Sequence, residues 1–197
     1  MPTADLPPSC LPAIEKWLDS LPNRMPWQVQ QSDVARRSLL SLVEAYPNLR
    51  GTLNEAILWL RIGQIDRPHD LVQADTTSLD SYLHGVVHRL EGDYWNAKYW
   101  FRQIKDQELL AAIGSSILKR LKALSLFEQA RAMKIVDENE RFDPSALVDA
   151  CEKICRSTST RPSDSPHERL DFELIEQFGQ AEWEALRVLC TPQSSAE

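Results

Sequence analysis

The chain has 197 residues, 43% of them hydrophobic and 26% charged, with a formal net charge of −7. That length suits one domain with a sizeable core, and a glycine count of 6 argues against a glycine-rich phosphate-binding enzyme or a turn-dense β protein. The negative balance repels phosphate backbones and so argues against nucleic acid as a partner.

No apolar run reaches the ~18 residues that a membrane helix needs. The stretch Met1 to Ser20 has prolines and acids where a secretory signal has a basic start and an apolar centre. The expectation is an intracellular, cytoplasmic protein with no membrane contact. Of Cys10, Cys151, Cys155 and Cys190, only Cys151 and Cys155 are neighbours in sequence, and no second ligand pair stands nearby for zinc. They read as small buried or half-buried thiols. Nucleotide-binding and hydrolase motifs are absent, and the sequence requires no cofactor.

Residues 1–10 are proline-rich and are expected to be unstructured. Ile14, Trp17, Leu18 and Leu21 then recur at helical spacing up to Pro22. Ser32 caps a helix running to Tyr46, and Pro47-Asn48 breaks it. Thr52 and Glu55 fit a capping box for a helix from Leu53 to Ile62, which ends at Gly63. Asp66 caps a short helix with Pro68 in its first turn. Ser78 starts a helix over Leu79 to Glu91, with Leu79, Leu83, Val86, Val87 and Leu90 on one stripe. Gly92-Asp93 turns the chain, and Tyr94, Ala97, Phe101 and Ile104 mark the next helix. So short a turn makes these two helices antiparallel. Further helices are expected over Gln107 to Ser115, Ser116 to Val136 and Pro144 to Arg156, the last with Asp143 as cap. A flexible link over 157–166 precedes a final helix from His167 to Leu189. No alternating strand is found. The expected architecture is a single all-α domain over 1–197, with about eight helices in antiparallel hairpins.

The hairpin from Leu83 to Ile104 resembles a tetratricopeptide unit. Gly85 and His88 occupy the first helix's small and aromatic positions, Gly92-Asp93-Tyr94 the turn, and Ala97 and Phe101 the second helix's small and aromatic positions. The resemblance implies close helix approach at Gly85 and Ala97, with Phe101 filling the next hairpin. His88 departs from it, being polar where an aromatic is usual. Ala56, Gly63, Ile65, Pro68 and Val72 form an earlier copy, shorter than the usual ~34 residues. The run from His84 to Arg102 is also similar to the signature of a family of small all-helical proteins, a likeness that extends more weakly to Phe142 through Glu152. It implies no activity, and directs attention to this hairpin.

His84 and His88 lie one turn apart, and Glu91 joins their face three residues on. Two imidazoles and a carboxylate can bind zinc or iron, or act as acid and base. His69, on the preceding hairpin, could add a third imidazole. Equally, His88 could stand in for the repeat's tyrosine and bond a carbonyl, with His84 half exposed. On the next helix Trp95 and Tyr99 share a face, Asn96 and Trp100 another, and Asn96, Lys98 and Arg102 are the polar groups expected to line a groove. Lys119, Arg120, Lys122, Arg131 and Lys134 form a basic face suited to pairing with the acidic C-terminal helix.

The first reading is therefore a binding or scaffold module rather than an enzyme. It would present His84, His88, Glu91, Asn96, Lys98 and Arg102 to a peptide, a protein or a small polar ligand, or associate with itself. The alternative is a helical enzyme or metal-binding protein using His84, His88 and Glu91, with His69 as a further metal ligand.

Overall fold

The computed structural model describes residues 10–21, 32–73, 77–158 and 166–190. The segment expected to be unstructured falls, apart from Cys10, outside the described residues. Of the link expected over 157–166, residues 159–165 also fall outside them, while 157–158 and 166 are helical, extending the flanking helices into it. The fold is all-α, as expected. The helices are α1 (Leu11–Asp19), α2 (Asp33–Ala45), α3 (Leu53–Arg61), α4 (Asp66–Val72), α5 (Ser78–Glu91), α6 (Tyr94–Gln103), α7 (Gln107–Ala123), α8 (Phe127–Ala132), α9 (Pro144–Thr158) and α10 (Pro166–Cys190). No helix among the described residues is long and apolar enough to cross a membrane.

Local chemistry sets most helix starts. The Ser32 side chain accepts from the Ala35 N–H, and Thr52 from the Glu55 N–H. At α5 the full capping box belongs to Thr77 and Asp80, one residue before the expected start. At α4 the cap position is Ile65, without a side-chain cap, and Asp66 is the first helical residue rather than the cap. Glu55 does not complete the expected box either. Its carboxylate accepts from the Gly51 N–H at 2.6 Å, the Trp59 indole at 3.1 Å and Arg67 Nε at 3.0 Å. Burial raises its pKa, but Arg67 and the two N–H donors outweigh that and hold it below the ordinary value.

Two expected boundaries move. The Gly-Ser-Ser stretch at 114–116 does not divide a helix. Ile113, Gly114, Ile117 and Leu121 are all buried on one side of α7, so packing overrides the weak propensity of glycine and serine. The helix expected to run on to Val136 stops instead at Ala123. Ser125 takes a left-handed φ of 58°, and the Leu126 N–H bonds the Leu121 carbonyl, closing the C-terminus before the short α8.

The main core joins α3 to α10, and a smaller one lies among α1, α2 and α3. α5 packs on α6 and α4, α6 on α9, and α10 on α7 and α3. Phe101 packs within its own hairpin. A Cβ on Gly85 would lie 2.7 Å from its ring, and its centroid is 5.2 Å from that of Tyr82. α10 is fastened by buried polar groups. The Trp183 indole donates to the Ile57 carbonyl at 3.1 Å. Glu182 accepts from the Tyr82 hydroxyl at 2.7 Å and pairs with both terminal nitrogens of Arg89. Part of the basic face meets α10, as Arg120 bonds Gln177 and approaches Glu184, while Lys122 pairs with Glu140. Cys10 and Cys151 are buried free thiols, and burial pushes Cys151 up to about 12, the state of an unreactive thiol.

Candidate metal centre

α5 carries His84, His88 and Glu91 at intervals of four and three, so all three side chains leave one side of the helix. The helix ends there because Gly92 takes a left-handed φ of 83°, which a Cβ would disfavour. That turn sends α6 back along α5. The short α4 lies against the same stretch of α5 and brings His69.

The three imidazoles form a nearly equilateral group. Ring centroids of His69 and His84, of His69 and His88, and of His84 and His88 are each 4.9 Å apart. One nitrogen from each ring lies within 4.8 Å of the others. Nitrogens sharing one tetrahedral ion at ~2.0–2.1 Å would stand about 3.4 Å apart. An ion therefore has to shorten these separations by up to about 1.4 Å, and His69, with 28% of its side chain exposed, has room to turn.

Glu91 faces two of the rings. One carboxylate oxygen lies 2.9 Å from His88 Nδ1, the other 3.4 Å from His69 Nδ1. A carboxylate is acceptor-only, so the hydrogen-bonded His88 is directed to carry its proton on Nδ1 and to leave Nε2 as a lone-pair donor, while His69 Nδ1 stands within ion-pair range of the other oxygen.

His84 is the innermost ring, 4% exposed. Trp100 covers it face to face, with centroids 4.0 Å apart and planes 13° from parallel. Its Nδ1 is buried without a hydrogen-bond partner. Burial, then the neighbouring His88 and His69, lower its pKa to about 4. At neutral pH it is an uncharged imidazole, the form that binds metal.

The other expected groove residues are engaged elsewhere or face solvent. Asn96 donates to Asp93 at 2.6 Å, Lys98 pairs with Asp149 on α9 at 2.7 Å, and Arg102 is exposed. The wall facing His84 is thus the indole of Trp100, where cations were expected. Sequence reasoning placed Trp100 on a different line from the core but gave it no part in the site. A usable signal was present: Trp100 lies as far after Gly92 as His84 lies before it, so an antiparallel hairpin turning there sets them side by side.

No protein-family model, no curated protein and no solved structure matches this chain.

Proposed function

We propose that this protein binds a transition-metal ion of the zinc class through His69, His84 and His88. The observation that carries the reading is the convergence of three imidazoles, one of them the buried His84 whose Nδ1 lacks a partner. An unpaired buried polar atom is costly, typically ~1–3 kcal/mol, and a metal bond would remove that cost. Imidazole sets suit zinc, copper, nickel and iron, and shared carboxylates such as Glu91 are what orient such ligands. Zinc added to chelator-treated protein should bind at one ion per chain and raise the unfolding temperature. His84→Ala and His88→Ala should each abolish that response. A wild-type protein that takes up no zinc, copper, nickel or iron overturns the reading.

A second reading, the helical binding module, is supported by a different surface. Trp95 and Tyr99 stack on α6 with centroids 6.2 Å apart, yet are 69% and 42% exposed. Large exposed aromatics suit capture of a peptide or a second copy of the chain. Trp95→Ala should weaken any such association without changing the fold, and sedimentation of wild type and variant across concentration tests the self-association form.

A further inference from the structure

Resting on the metal reading above, we propose that the ion keeps one coordination position open to solvent, and that this position takes water, hydroxide or a small monoanion.

Three observations lead there. The first is the donor set. Among the described residues, the group able to hold an ion is His69, His84 and His88, with no cysteine or carboxylate completing a fourth ligand within it. Glu91 is adjacent, but its two oxygens already face the Nδ1 atoms of His88 and His69. That makes Glu91 a positioning residue outside the ion's own ligands. The second is asymmetry. The site is closed on the inside by Trp100 lying on His84, itself 4% exposed. On the outside the His69 and Glu91 side chains are 28% and 26% exposed. A vacant position therefore meets water at the α4 rim and nowhere in the core. The third is the extent of the apolar core, which runs from α3 to α10 and leaves an ion little of the fold to hold. Closed four-ligand sites are typical where the metal itself holds the fold, whereas three protein ligands and an exchangeable fourth are typical of sites that act on a bound molecule.

The chemistry of the occupant follows. Three neutral imidazoles leave a divalent ion with its full positive charge, so an incoming monoanion is attracted, and bound water is acidified. The rim has the Glu91 carboxylate beside it, which favours neutral or singly charged ligands over dianions.

Cobalt(II) tests this directly, because its visible spectrum reports ligand exchange. The full chain, freed of metal and loaded with one cobalt, should show a four-coordinate visible spectrum that changes saturably as azide is added. Glu91→Gln should still bind one cobalt and respond to azide, with cobalt affinity ~10–100-fold lower, as for lost orienting partners. If wild type binds cobalt but ignores azide, and Glu91→Gln responds to it, Glu91 is the fourth ligand and the open position is overturned while metal binding stands. A cobalt spectrum indifferent to azide in both proteins also overturns it. Failure of wild type to bind cobalt removes this inference together with the metal reading.

Discussion

His84 lies flat against Trp100, ring centroids 4.0 Å apart, on two helices that meet only because Gly92 turns the chain between them. The contact does two things. It removes His84 from water, and it leaves the in-plane nitrogens of that ring aimed away from the indole. Burial and two neighbouring imidazoles then keep the ring uncharged.

That state makes stability depend on pH. The His84 pKa is about 4 in the folded chain against an ordinary 6.5. Between those values the unfolded chain binds a proton that the folded chain does not, so stability falls as pH drops from 6.5 towards 4 and levels off below. The expected loss from this residue is on the order of 1–3 kcal/mol. Urea unfolding of metal-free protein at pH 7 and pH 4.5 measures it, and His84→Gln should lose less by that amount. An equal loss in the variant contradicts the assignment.

Gly85 sits beneath the Phe101 ring, where an added Cβ would approach within 2.7 Å. Overpacking costs ~1–3 kcal/mol, partly offset by the ~1 kcal/mol that alanine gains over glycine in a helix. Gly85→Ala should therefore destabilise by about 1 kcal/mol, and Gly85→Val by more. Phe101→Ala alone should cost ~3–5 kcal/mol through the cavity it leaves. Gly85→Ala should cost less when combined with Phe101→Leu, and a double-mutant cycle in urea reads that coupling. Strict additivity would mean the two residues do not press on each other.

Glu182 holds α10 to α5 through Arg89 and Tyr82, all buried. Glu182→Leu strands the guanidinium in the core and should cost ~3–5 kcal/mol. Tyr82→Phe leaves that ion pair intact and should cost only ~0.5–1.5 kcal/mol. Calorimetric unfolding of both variants checks the ranking. The reverse order would move the anchor from Arg89 to the tyrosine.

Zinc uptake should register in one more way. Glu91→Gln removes the carboxylate that His88 bonds and His69 faces, and should weaken zinc binding ~10–100-fold. Arg102→Ala, at an exposed position outside the cluster, should leave it unchanged. Competition against a chromogenic chelator measures both. Equal effects of the two changes would argue that general charge, not ring orientation, governs uptake.

Much of this site was written in helical spacing. His84, His88 and Glu91 share a face because intervals of four and three bring side chains together on any helix. His69 was reachable because it sits on the preceding hairpin. Trp100 escaped because its pairing with His84 follows from the register of the hairpin rather than from either helix alone. The Arg89–Glu182 pair was out of reach in principle: nothing local ties residue 89 to residue 182, and only the packed core selects that partner. The end of α7 was misplaced for a similar reason. Ser125 is not a residue that favours a left-handed φ, and the bond from the Leu126 N–H back to Leu121 imposes it.

The most direct measurement is anomalous diffraction at the zinc edge from crystals of the full chain grown with one equivalent of zinc. The account predicts one dominant peak among His69, His84 and His88, within ~2.0–2.2 Å of a nitrogen from each ring. Zinc peaks only at other residues, or zinc-containing crystals with no peak among these three imidazoles, would contradict it.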